Sequence, residues 1–492
     1  MSEPPRQHHN VTLAVLALAC TAFAIQQTMV IPALPVLQRE LHTSTTWATW
    51  VLTVFLLVAC VATPIIGKLG DQYGKERLLA ISLLVFLLGC IGCALAWNVA
   101  SLIGFRALAG VGGGVFPLSF AIIRDEFPRE RIGVGIGLIS AVFGVGGGIG
   151  IVLAGLIADN LSWRWLFIAG SILTAAPLVL VHRFVPESPI KTPSRVDFPG
   201  AVLLSLALVA LLVGLSEGAQ WGWSSGRILG LFAASFALFV VWGVLETRVQ
   251  DPLVDMGMLA HRPVLFTNMT ALVAGFAMFG TFVLIPNFVE MPHGLPAATA
   301  HLVHYGFDAS TTRAGLYLLP GSAMLLFSGP LAGRIGARIG YKWPLAIGLV
   351  LVAAAAGALV GFHTRSWHVW AGQAVLGIGV GFAFAAMATL IAENVRPEET
   401  GVATGVNTVM RSIGGVVGAQ VGAALLTTYT IAGTRIVPSV RGFEIAFAVA
   451  AVAALVGAGL ACLVPELPRA ERDRLLAGTG WPSRENTPKL VQ

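Results

Sequence analysis

Residues 67–79 read Gly67-Lys68-Leu69-Gly70-Asp71-Gln72-Tyr73-Gly74-Lys75-Glu76-Arg77-Leu78-Leu79, a polar stretch between two long apolar runs. Each run has the ~20 apolar residues that a helix needs to cross a bilayer, so the stretch reads as a loop of about eight residues joining two membrane helices. Gly67 marks a place where two helices approach closely, and Gly74 a turn that a side chain would hinder. Asp71 sets a carboxylate at the membrane surface, and Lys75 and Arg77 set cations near it.

The composition agrees with a membrane chain. Of 492 residues, 56% are hydrophobic and only 11% charged. Soluble domains carry about a quarter charged residues, so a soluble globular fold is excluded. The formal charge of +6 does not point to nucleic acid, because the basic residues are scattered among loops between apolar runs. The five cysteines (Cys20, Cys60, Cys90, Cys93, Cys462) lie inside apolar runs and read as small apolar side chains. No metal set, nucleotide loop or nucleophile–base set is visible, so no enzyme, metal or cofactor is expected. The polar N-terminus leads into a run ending in Ile31-Pro32-Ala33-Leu34-Pro35, which reads as a retained helix and not a signal peptide.

Hydropathy places spans near 11–31, 48–68, 78–97, 101–123, 133–157, 164–184, 199–215, 228–246, 264–289, 314–335, 343–362, 368–392, 401–427 and 443–464. That makes fourteen. With the N-terminus inside, the inner segments hold 21 Lys/Arg and the outer ones 7, so both termini are expected in the cytoplasm of a multi-pass protein of the cell membrane. The chain also repeats itself. Gly67 and Gly74 recur as Gly333 and Gly340, Gly110/Gly112/Gly114 as Gly377/Gly379/Gly381, and Gly133/Gly137/Gly150 as Gly401/Gly405/Gly418. The near-constant offset predicts two six-helix copies, residues 1–185 and 263–464, with linkers and two extra helices in 186–262 and a cytoplasmic tail in 465–492. The expected fold class is an all-α membrane protein of two pseudo-symmetric six-helix bundles plus two central helices. A pathway then lies between the copies.

The pattern Gly67-x-Leu69-x-Asp71-x-x-Gly74-Lys75 resembles the loop signature of the major facilitator superfamily, found there between the second and third helices. Fourteen spans with the extra pair in the middle resemble its drug/proton antiporter branch, over nearly the whole chain. The resemblance implies a carrier that works by alternating access, with Gly67, Asp71, Gly74, Lys75 and Arg77 as a latch that closes the cytoplasmic side. It also implies a small-molecule substrate, protons as the counter-ion and a lipid bilayer around a monomer.

Several residues bear on that reading. Arg106, inside the fourth span, should face a cavity or a partner, since a buried arginine is costly; its setting resembles the family's fourth-helix signature. Gln373 stands at the matching place of the second copy. Arg411 is a second cation deep in a span. Gly144, Gly146, Gly148, Gly150 and Gly155 bring helices into backbone contact, and the stretch resembles the family's antiport motif without its proline. Ile25 to Pro35 resembles the first-helix motif, with Gln26 where the family has an aspartate; Gln27 follows it. Glutamine cannot titrate, and Glu290, at the outer end of the ninth span, is the remaining candidate for carrying protons. His293, His301 and His304 share one outer loop, whose irregular course does not favour a metal. The reading is an exporter of small organic molecules, by proton antiport or as a facilitator or non-proton exchanger; a membrane sensor is a third possibility. Two arginines and no midplane carboxylate predict neutral or acidic substrates over cationic ones.

Overall fold

The computed structural model describes residues 9–43, 45–187, 197–292, 302–431 and 437–465; its regular structure there is helical, apart from an isolated bridge between Thr430 and Pro438. Among the described residues, fourteen helices are long and apolar enough to span a membrane. They are α1 His9–Thr28, α2 Trp50–Tyr73, α3 Lys75–Ala94, α4 Val99–Glu126, α5 Arg131–Ile157, α6 Arg164–Phe184 and α7 Phe198–Trp221. The series continues with α8 Gly226–Glu246, α9 Arg262–Glu290, α10 Thr312–Ile339, α11 Lys342–Gly361, α12 Ser366–Glu393, α13 Pro397–Thr428 and α14 Val440–Cys462. Every span expected from hydropathy is present.

Two boundaries differ from expectation for physical reasons. The expected eight-residue loop contracts to one residue: α2 stays helical through Tyr73, Gly74 turns at φ +115°, and α3 begins at Lys75. The polar residues need no solvated loop, because Asp71 and Lys75 are buried against partners from other helices. The first apolar run breaks at Met29 into α1 and a second helix, Val30–Glu40. Pro32 has no N–H to return to the Thr28 carbonyl, so the hydrogen-bond ladder is interrupted there.

Helices α1–α6 and α9–α14 form two bundles. In the first, α1 packs on α5, α2 on α4 and α3 on α6; in the second, α9 packs on α13 and α14, and α11 on α12 and α14. The bundles meet along two seams, α2 against α13 and α5 against α10. The sequence repeat appears in these seams. Gly67 meets Gly401 backbone to backbone, and Gly133 meets Gly333 in the same way. Each glycine pattern of one copy thus faces the other pattern of the other copy. A methyl on Gly67, Gly333 or Gly401 would run into main-chain atoms, and one on Gly133 into the Tyr341 hydroxyl. The extra helices α7 and α8 pack on each other, and α7 also lies on both α2 and α13.

Candidate functional site

One face of the molecule carries Gly74; the other carries Trp97. On the Gly74 face, Asp71 is 1% exposed and its carboxylate accepts from the Gly401 and Val402 N–H groups at 3.4 and 3.2 Å. These N–H groups open the long helix of α13, where the helix dipole favours an anion. Lys75, fully buried, lies 3.6 Å from Asp71 and 2.5 Å from Asp125 at the end of α4. Next to Asp125, Arg124 reaches across the same seam. Its guanidinium donates to the Val395 and Arg396 carbonyls at 2.7 and 3.1 Å and contacts the Thr400 hydroxyl. Val395 and Arg396 follow the end of α12, where the dipole favours a cation. The first bundle therefore offers an anion to the start of α13 and a cation to the end of α12, clasping one turn of the second bundle from both sides. Gly74 abuts the Glu187 carboxylate, and Arg77 is exposed outside this network. The second copy has Ala337 where the first has Asp71, so the clasp exists on one seam only.

The α5 glycines divide between two neighbours. Gly144, Gly148 and Gly155 face Leu325, Ser322 and Thr312 of α10, whereas Gly146 and Gly150 face Ala24 and Thr28 of α1. Two oxygens cross these contacts: Ser322 Oγ donates to the Gly144 carbonyl at 3.2 Å, and Thr28 Oγ1 to the Gly147 carbonyl at 3.0 Å. The spacing of four lets α5 sit tightly between the first bundle's α1 and the second bundle's α10.

The two arginines occupy different surroundings. Arg106 is fully buried within the first bundle, its guanidinium 4.0 Å above the Phe55 ring, Nε donating to the Val51 carbonyl at 3.1 Å and Nη1 to the Gln26 carbonyl at 3.4 Å. Its Nη2 is buried without a partner. Arg411 instead lies where the bundles meet, 4.2 Å over Phe384 of α12 and 5.7 Å from Phe143 of α5. The rings run on from there: Phe143 contacts Phe116, Phe279 and Phe384 at 5.3, 6.5 and 6.0 Å between centroids. Phe116 contacts Phe23, and Phe23 contacts Phe55, so an aromatic ladder joins the two cations.

The structure does not bring the remaining expected residues to this centre. Gln26 is fully buried and turned to α6, its Nε2 donating to the Leu166 carbonyl at 2.7 Å. Gln27 is half-buried beside it. Glu290 is the last residue of α9, half-buried at the Trp97 face. Gln373 is buried in α12 with both amide atoms unpaired. His293 and His301 lie outside the described residues, as do residues 465–492 beyond their first; His304 lines a cavity of about 420 Å³ with Tyr305 and His363. There Tyr305 donates to the Pro438 carbonyl at 2.6 Å, and burial pushes its phenol well up from the ordinary value.

Comparison with known proteins fixes the family. The model of the Major Facilitator Superfamily matches residues 16–419, with a second match over 295–488. The chain belongs to the major facilitator superfamily. Superfamily relatives include "Multidrug resistance protein 3" of Bacillus subtilis (strain 168), 28% identical over 410 residues, 82% of this chain and 77% of that one. The "Tetracenomycin C resistance and export protein" of Streptomyces glaucescens is 27% identical over 429 residues, 85% of this chain and 76% of the relative. Among solved structures, the human organic anion transporter MFSD10 (TETRAN) has a TM-score of 0.63 at 15% identity, over 93% of this chain and all of that one, which shows the shared fold. As a superfamily member the chain is a multi-pass membrane transporter and not an enzyme.

Six clasp residues were not singled out from sequence: Arg124, Asp125, Val395, Arg396, Thr400 and Val402. The available signal was the charged run Arg124-Asp125-Glu126 ending a span on the same face as Asp71. What the sequence cannot show is that this run meets a turn about 270 residues away, the separation recorded for Val395 and Arg124.

Proposed function

We propose that this transporter exports small organic molecules by alternating access, with both termini cytoplasmic. Residues 1–185 and 263–464 are the rocking bundles, 186–262 is an accessory helix pair with its linkers, and 465–492 is a cytoplasmic tail. The observation that carries the reading is the clasp. Asp71 and Arg124 hold the α12–α13 turn through hydrogen bonds and helix-end electrostatics, at the end of a seam that packs through the Gly67–Gly401 contact and apolar side chains such as Ile65 and Val406. Such a contact parts and re-forms without unfolding either bundle. A sensor that never cycles has no use for it. The named relatives support drug-like cargo, since both are resistance proteins and one is an export protein.

The driver is proton antiport, with the buried Asp71–Lys75–Asp125 group as the set whose surroundings change when the clasp opens. One observation favours a second reading, a facilitator or non-proton exchanger. Among the described residues, no Asp or Glu occupies the middle third of any span. Transport by the purified chain in proteoliposomes, with and without a pH gradient, separates the two. Acceleration by the gradient, with its dissipation on adding substrate, fits antiport; gradient-independent flux fits the second reading. No flux at all of any compound that the cells expel removes both.

A further inference from the structure

The charge of Arg106 is spent on its own bundle, but that of Arg411 is not. Arg411 keeps 6% exposure where Arg106 keeps none, and among the described residues it makes no hydrogen bond or ion pair. Its guanidinium carbon lies 4.2 Å over the Phe384 ring and 5.7 Å from the Phe143 ring, so its contacts are with π faces and its N–H groups stay unused. Burying a cation without an anion is costly, so the group that complements Arg411 is of a definite kind: one with negative charge that accepts in the plane of a guanidinium fork. The surroundings add a shape. Phe116, Phe143, Phe279 and Phe384 come from α4, α5, α9 and α12, two helices of each bundle, and meet near the middle of their spans. Phenyl rings set at 66–72° to one another present edges and faces that accept a flat π system.

We infer that Arg411 and this aromatic frame form the substrate site, and that it selects planar aromatic anions such as aryl carboxylates or phenolates. The inference rests on the exporter reading for its biological use, though not for its test. A cationic aromatic drug has the right shape but meets Arg411 as a like charge, and among the described residues no carboxylate is paired with Arg411 to offset it. Because Phe143 belongs to the first bundle and Arg411 and Phe384 to the second, a ligand lying between them touches both rocking bodies.

The test uses two dyes with one xanthene skeleton and opposite charge, fluorescein and rhodamine 6G. Their binding to the purified full chain in detergent is followed by fluorescence polarisation. Fluorescein should bind at least about tenfold more tightly than rhodamine 6G, and Arg411→Gln should weaken fluorescein about 10- to 100-fold, the range for a hydrogen bond to a charged group. Phe384→Leu should weaken both dyes while keeping the preference for the anion. Arg411→Lys keeps the charge but loses the planar fork; it should retain the anion preference at reduced affinity, and it decides the matter if Arg411→Gln does not elute as a folded protein. Equal or tighter rhodamine 6G binding, no fluorescein binding, or wild-type fluorescein affinity in the arginine variants overturns the inference. Arg411-dependent binding without transport removes the exporter reading alone, whereas export confined to rhodamine 6G removes this inference alone.

Discussion

Replacing Asp71 by Asn perturbs the clasp and little else. The variant keeps the volume and one acceptor oxygen but loses the charge that faces two α13 N–H groups and Lys75. A hydrogen bond to a charged group is worth about 1.5–3 kcal/mol and a charge at a helix terminus about 0.3–1 kcal/mol. Allowing for the bond that Asn still makes, the clasped state loses about 2–4 kcal/mol, a roughly 30- to 700-fold shift toward the unclasped state. Folding should hold, because Lys75 retains Asp125 at 2.5 Å. The chain carries its own reporter. Cys60, 8% exposed on α2, lies farther along the same seam against Ser412 of α13, whereas Cys462 is the exposed cysteine. In a Cys462→Ser background, N-ethylmaleimide should label Cys60 faster in Asp71→Asn than in the parent, and export should fall. Unchanged labelling together with wild-type export refutes the clasp as the closing element.

Gly74→Leu should cost folded yield as well as export. The residue sits at φ +115°, where a non-glycine backbone costs about 1–3 kcal/mol, and its side chain would displace the Glu187 carboxylate; a wild-type gel-filtration yield contradicts this. Arg124→Ala removes the donor to the Val395 carbonyl and one of the donors to the Arg396 carbonyl, so Cys60 labelling should rise as in Asp71→Asn. Since both residues hold one turn, the double variant should gain less than the two singles together, and simple additivity argues for independent contacts. A reporter fused after Gln492 should read as cytoplasmic and a tag near Ala298 should be labelled from outside; an externally accessible tail overturns the proposed orientation.

The spans, their number and the two-fold repeat were legible because each rests on local composition or on glycine spacing within a single helix. Which face a polar residue takes was not. Arg106 and Arg411 look alike in sequence, each a lone cation in an apolar run, yet one is bonded to main-chain carbonyls of α1 and α2 and the other stacks bare between two phenylalanines. Gln26 likewise carries no mark of its bond to Leu166, which depends on how α6 lies against α1. The polar pattern around Asp71 was legible, but the groups that its carboxylate meets are main-chain N–H, which no sequence motif announces.

Helix α7 lies on both α2 and α13, and the extra pair leaves the α5–α10 seam to itself. Its partner α8 is apolar along its length, and only 17% of its apolar stretch is buried against protein. When the bundles part, any uncovered seam becomes a slot through which hydrocarbon tails can enter. The α2–α13 slot is screened by a sliding wall of protein, and the α5–α10 slot is not. In the proposed cycle an amphiphilic compound dissolved in the bilayer would therefore meet a lateral door along the α5–α10 seam, on the side away from the extra helices, and the pair would act as a gasket over the seam where the clasp lets go.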